Sequence, residues 1–259
     1  MKKNMLMKAA ALAFASGAIF SCSGTKELKF DTLETSEVYP LAEGRRDSVY
    51  IDVSLQIPVE GLEKDVRDRI CNTILVYAFG DEADGKTPDD ALKGYVEDKV
   101  KDYRETNFEN LGETEEDGEE TEAGWYTWNF EDEGRYEGEY NGWLSYTLNS
   151  YVYLGGAHGG TILSGLNFDK NTGYIISADD IFSFGYEEQL SAALRSHLKS
   201  SLSAEEYDML FVTDITPNGN FVLSQAGITY IYGQYEIGPY VSGIIKVTVP
   251  WEELQSILK

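Results

Sequence analysis

The stretch SVYIDVSLQIPVEGLEKDVRDRICNTILVYAF, residues 48–79, decides the fold class. Val49, Ile51, Val53, Leu55 and Ile57 alternate with Tyr50, Asp52, Ser54 and Gln56, which is the two-residue period of a strand with one wet face. Leu62, Val66, Ile70, Ile74 and Ala78 then recur every four residues with charges between them, the stripe of an amphipathic helix. A strand followed directly by a helix is compatible with a layered domain of sheet and helices, and the order of the elements after it decides between α+β and βαβ winding.

Further along, Thr87-Pro88-Asp89-Asp90 supplies an N-cap, a first-turn proline and early acids, and Leu92, Tyr95, Val96, Val100 and Tyr103 form a second helical stripe. Residues 109–122 are acidic and glycine-bearing and read as a loop. The segments 125–130 and 135–140 read as a hairpin pair, and 143–154 as a long strand with Leu144, Tyr146, Leu148, Val152 and Leu154 on one face. Ile162, Leu166 and Phe168 resume the pattern after a glycine cluster, and a turn at 169–173 leads to a short strand at 174–177. Tyr186, Leu190, Ala193, Leu194 and His197 share a helical face, and Ser203 with Glu206 makes a capping box. Strands at 221–223, 228–232 and 241–249 precede a terminal helix carrying Trp251, Leu254 and Leu258. Helices and strands do not alternate one for one, so the expectation is an antiparallel sheet with helices packed mainly on one face, in two intimately associated halves.

The N-terminus has Lys2, Lys3 and Lys8 ahead of an uncharged run from Ala9 to Phe20, the order of a secretory signal and too short for a bilayer span. Ser21-Cys22 ends it as a lipobox would, with Cys22 the lipidated residue; an ordinary signal cleaved nearby is the alternative. The expected organisation is a signal at 1–21, lipidated Cys22 with a tether over 22–46, an N-terminal half at 47–150 and a C-terminal half at 151–259. A short extra strand at 38–41 is the other reading of the tether. Membrane attachment is expected through the N-terminal lipid only.

Loss of the signal removes three lysines, so the net charge of −24 becomes −27, a sign that disfavours nucleic acid and anionic surfaces and favours cationic partners. With 42% apolar residues the chain still has enough to build a core. Cys71 is the one cysteine besides Cys22, which leaves no disulfide framework and makes Cys71 a small core residue.

The residues Tyr151-Val152-Tyr153-Leu154-Gly155-Gly156-Ala157-His158-Gly159, followed by Asn167-Phe168-Asp169, Thr172-Gly173, Asp179-Asp180-Ile181-Phe182, Gly227-Ile228-Thr229-Tyr230, Tyr235-Glu236-Ile237-Gly238-Pro239-Tyr240 and Val249-Pro250-Trp251, carry a further signal. In this order they resemble the extracytoplasmic domain family of the lysozyme-sensing anti-sigma factor RsiV, which also accompanies the peptidoglycan deacetylase domain of PdaC. The resemblance covers 151–259 and, more loosely, 47–150. It implies an α+β sheet domain in which 155–160 is a fixed turn beside the sheet, and a binding role at the cell envelope, periplasmic or on the outer membrane surface. The signalling and deacetylation of those relatives are not implied.

The candidate ligand-binding residues are Tyr153, Gly155, Gly156, His158 and Gly159 in the glycine-rich segment, with Trp125, Trp128, Tyr235 and Tyr240 as aromatic anchors. Aromatic rings beside acids suit a cationic protein such as lysozyme, or the sugars of peptidoglycan; core packing is the competing reading of the same rings. His158 and His197 with one free cysteine are too few for a zinc site, and Asp81, Asp84, Asp89 and Asp90 lack the spacing of a calcium loop. No metal, no cofactor and no catalytic residue are expected. The alternatives are a cell-wall hydrolase pairing His158 with Asp179 or Asp180, and a structural envelope protein.

Overall fold

Alternation of apolar and polar residues places Val49, Ile51, Val53, Leu55 and Ile57 on one side of a strand, β2 (Ser48–Glu60), and all five are buried. The computed structural model describes residues 27–43, 45–108 and 126–259, and β2 is second in a five-stranded sheet of order β1-β2-β3-β4-β5. Helices α1 (Lys64–Phe79) and α2 (Pro88–Phe108) lay Val66, Ile70, Ile74, Val96, Val100 and Tyr103 over the buried face of that sheet.

The segment expected to be a tether contains instead a twelve-residue strand, β1 (Lys29–Pro40), paired antiparallel with β2 so that Leu33 faces Leu55 and Tyr39 faces Val49. Its pattern is weak because an edge strand buries only part of one face: Leu33 and Tyr39 touch the core while Val38 is exposed.

After α2 the chain returns as β3 (Trp128–Tyr140), parallel to β2, with Val49 opposite Trp128 and Leu55 opposite Gly134. The sheet therefore contains one crossover pair, and the expected hairpin across 125–140 is a single strand. The acids and glycine that suggested a turn are strand residues with structural employment. Asp132 is buried on the helix side, where it accepts hydrogen bonds from Tyr95 Oη at 2.7 Å and Ser150 Oγ at 2.6 Å. Gly134 lies beneath the Tyr146 ring, where an added Cβ would meet the phenol oxygen at 2.0 Å.

Asn141 and Gly142, both at positive φ (51° and 80°), form the two-residue turn into β4 (Trp143–Tyr153). The antiparallel β5 (Gly160–Asp169) follows as the second edge of the sheet. That edge is closed. Thr161 N–H donates to Gln234 Oε1 and Gly165 N–H to Asn220 Oδ1, Asn220 Nδ2 donates to the Leu163 carbonyl, and Ile176 N–H donates to that of Asn167. Two side-chain amides thus occupy places that a neighbouring strand would fill.

The rest of the chain forms α3 (Ala178–Ile181), α4 (Glu187–Ser201), α5 (Ala204–Asp208) and a three-stranded antiparallel sheet of β6 (Phe221–Ser224), β7 (Gly227–Tyr232) and β8 (Ile245–Pro250), ending in α6 (Trp251–Leu254). Leu190, Leu194 and Leu198 of α4 bury against Val247 and Val249 of β8 in a second core. The Ser203–Glu206 capping box forms as expected. The strand expected at 174–177 is reduced to one bridge, Ile175 to Phe168. The one expected from Val241 starts at Ile245, because Tyr240–Ser242 is a helical turn ended by Gly243 at φ 63°.

The two sheets meet across β4 and β5 on the face opposite α1 and α2. Asn167, buried there, accepts from Ser145 Oγ (2.8 Å) and Leu223 N–H (3.2 Å) and donates to the Phe221 carbonyl (2.7 Å). The first sheet runs to Asp169, so residues 150 and 151, where the sequence divided the halves, both lie inside β4.

Burial holds the Asp132 carboxyl above the ordinary carboxylate range, against the opposing pull of Ser150, Tyr95 and Lys99. An acid whose pKa is raised by folding binds its proton more readily in the folded state, so its penalty is present at neutral pH and fades as pH falls through the raised value toward the unfolded one. Asp132→Asn removes the charge and keeps the shape, with one oxygen still accepting and the new amide N–H meeting the other hydroxyl as a donor. In urea titrations from neutral pH down to the ordinary carboxylate range of about 4, wild type is expected to gain stability relative to Asp132→Asn as the pH falls; parallel pH profiles would refute this.

Candidate functional site

Because β2 and β3 are parallel and β3 and β4 antiparallel, the wet positions of four strands come into register. Ser36 faces Asp52, Asp52 faces Glu131, and Glu131 faces Tyr151; one step along, Glu34 faces Ser54, Ser54 faces Glu133, and Glu133 faces Asn149. The result is an open trough of about 1130 Å³ on the side of the sheet away from α1 and α2. Its neutralisation is slight: Arg135 pairs with Glu133, Asn129 donates to Glu131 at 2.6 Å, and no cation among the described residues pairs with Glu34 or Asp52.

At its β4 end the trough meets a group of rings. Tyr151 leads to the glycine-rich turn between β4 and β5, and Tyr153 Oη donates to the Gly156 carbonyl at 2.9 Å, closing that turn. Gly155 and Gly156 both adopt positive φ (88° and 91°), which is why glycine stands there. Gly159 leaves room for the Tyr151 ring: a Cβ there would lie 2.4 Å from Tyr151 Oη, and the ring would have to shift. From the other sheet the loop between β7 and β8 brings Tyr240, whose Oη donates to the Gly159 carbonyl at 2.9 Å and whose ring lies 4.2 Å from that of His158. Tyr235 stands 5.7 Å from Tyr240. Burial, and then the neighbouring Tyr240 and Glu131, raise the Tyr151 phenol above its ordinary range, which ties the rings to the acids.

Six of the sequence candidates, Tyr153, Gly155, Gly156, His158, Gly159 and Tyr240, are therefore gathered at one place with Tyr235 beside them. Trp128 is not among them. It is buried in the first core between Tyr103 (5.5 Å) and Phe130 (6.1 Å), a core ring rather than a surface anchor. Tyr140 is likewise stacked on Trp251 at 4.7 Å, and Tyr232 is buried with its Oη donating to the Thr216 carbonyl. Cys22, Trp125 and the acidic stretch 109–122 lie outside the described residues. Cys71 is half-buried, its thiol pushed up to about 11 by burial.

The pairing of His158 with Asp179 or Asp180 does not form. His158 Nδ1 is held by the Gly159 carbonyl at 2.9 Å, while Asp180 accepts from Ser177 N–H and Oγ at the start of α3, contacts that lower its pKa. His197 meets Glu253 at 3.0 Å on α4. Among the described residues no group of three or more His, Cys, Asp or Glu side chains is placed to hold a metal ion. The acids of the trough escaped the sequence reading because each is an ordinary wet position on its own strand; the pleat parity was visible, but the register that assembles them was not.

Residues 45–161 match the family model described as Deacetylase PdaC, and residues 179–252 the one described as Protein of unknown function (DUF3298). A curated relative, the peptidoglycan-N-acetylmuramic acid deacetylase PdaC of Bacillus subtilis, is 26% identical over 122 residues; the match takes in 45% of this chain and 26% of that protein, so the chain spans about a quarter of its length. A crystal structure of a DUF3298 family member from Bacteroides fragilis superposes with a TM-score of 0.81 at 28% identity, covering 91% of this chain and 95% of that one. A DUF3298 family protein from Pseudomonas aeruginosa has the same fold, with a TM-score of 0.62 at 18% identity over 91% and 96% of the two chains. The chain is therefore similar to a PdaC-associated segment over 45–161 and to the DUF3298 proteins of unknown function over 179–252, in agreement with the resemblance read from residues 151–259.

Proposed function

We propose that the chain is a non-catalytic binding module of the cell envelope, lipid-tethered at Cys22, that captures a cationic protein of the lysozyme-like muramidase kind. One observation carries this reading: Glu34, Asp52, Glu131 and Glu133 of three in-register strands line an open trough, and among the described residues Arg135 is the one cation paired with them. A surface of this kind concentrates field over a concave floor and steers a positive partner toward it. The engagement of His158 with a backbone carbonyl and of Asp180 with a helix cap favours binding over hydrolysis. The curated relative is named for an activity on peptidoglycan, which supports an extracytoplasmic setting.

Calorimetric titration with lysozyme tests the reading. A complex is expected whose affinity falls about tenfold between low and moderate salt, as exposed charge pairs are screened. Reversal of Asp52 and Glu131 to lysine is expected to weaken it by a further order of magnitude or so, mainly through slower association. Absence of both heat and complex at low salt removes the muramidase reading.

A further inference from the structure

The turn after β7 carries a conformation its sequence does not favour. Tyr235 has φ 63°, in the left-handed region that glycine or asparagine ordinarily occupies. It is the third residue of a turn closed by Glu236 N–H donating to the Gly233 carbonyl at 3.1 Å. The surroundings hold the turn in place: the Glu236 carboxylate accepts from Gly233 N–H (2.6 Å) and Asn218 Nδ2 (2.8 Å), and Gln234 reaches across to Thr161 N–H. None of this serves to bury the ring, which is 57% exposed. A bulky residue kept in a glycine conformation with its ring in solvent marks a place where the ring itself is wanted.

Tyr235 is the outer member of a row, followed by Tyr240 at 5.7 Å and His158 at a further 4.2 Å. The Nδ1 of His158 donates to the Gly159 carbonyl, so in the neutral ring Nε2 is an acceptor. Gly156 and Gly160 have open space where a Cβ would stand, so a ligand can approach the backbone beside the row.

We propose that Tyr235, Tyr240 and His158 form a stacking platform for a neutral glycan, with the C–H faces of successive pyranose rings lying on the aromatic row and a hydroxyl donating to His158 Nε2. Aromatic rings with polar edges are suited to a ligand that has apolar faces and a rim of hydroxyls. A chain with a net charge of −24 repels an anionic polymer, which selects the uncharged class. The site goes beyond the acidic trough: it depends on rings and one imidazole, not on carboxylates.

The test is a titration of the full chain with chitotetraose, the neutral tetramer of N-acetylglucosamine, followed by calorimetry and by the tyrosine ring signals in NMR. Saturable binding is expected, unchanged between low salt and about 0.3 M, where lysozyme binding would already have weakened. Tyr235→Gly is expected to weaken it at least tenfold while melting at or above the wild-type temperature, because glycine is at ease at this φ. No saturable binding, equal binding by Tyr235→Gly, or a lowered melting temperature that shows the ring to be a structural prop would each overturn the proposal. The salt dependence keeps the two partners separate, since either can fail without the other.

Discussion

Gly165→Ala is expected to lower the stability of the protein by about 3 kcal/mol, the upper part of the range for an overpacked interior, and its melting temperature by roughly 10 °C. Gly165 lies in β5 where β6 crosses it, and a Cβ there would stand 2.2 Å from the Phe221 carbonyl oxygen and 2.7 Å from its carbon. Both are backbone atoms, so no side chain can swing aside; the two sheets have to separate. The separation would also strain the amide contacts of Asn220 with Gly165 N–H and the Leu163 carbonyl. Gly160→Ala on the same strand is the control. Its Cβ meets nothing within 4 Å, and its stability should stay within about 0.5 kcal/mol of wild type. Equal melting of the two variants in a calorimetric scan would show that the sheets are not held at this distance.

Asn167→Ala is expected to cost about 3 kcal/mol by a different route, the loss of polar partners instead of a clash. The side chain is buried and spends both ends of its amide between the sheets, leaving Phe221 C=O without its donor and Leu223 N–H with Ser145 Oγ alone once it is gone. Burial without a partner costs each such group its hydration. Hydrogen exchange at the Leu223 amide reads this directly, and it should accelerate in Asn167→Ala before the amides of β2 do. Unchanged protection at Leu223 would contradict the assignment. Because Gly165 and Asn167 act on the same junction, the double variant should cost less than the sum of the single ones.

The difference between what was legible in the sequence and what was not follows burial. β2, α1 and α2 were readable because each buries a full stripe of apolar residues whose period survives in one dimension. β1 buries half a face, so its sequence reads as a tether. β3 was broken in two because Asp132 and Gly134 have the chemistry of a turn, while their actual roles, accepting two buried hydroxyls and making room for Tyr146, exist only once α2 and β4 are in place. At the site, the glycine-rich turn and Tyr240 were legible through the ordered motifs of a known domain. The trough was not, since it depends on a parallel pairing of β2 with β3 that no local pattern announces. Trp128 shares its parity with Phe130, and that parity is the signal that would have placed it inside.

The asymmetry between the two borders of the first sheet governs how copies of this protein can aggregate. On the β5 border the amides of Asn220 and Gln234 stand where an incoming strand would have to bond, whereas β1 is a border of twelve residues. Stacking of copies strand upon strand would need two receptive borders per copy, and here one is sealed. Joining through β1 therefore stops at a closed pair, and crowding of copies does not propagate into a fibre along this sheet.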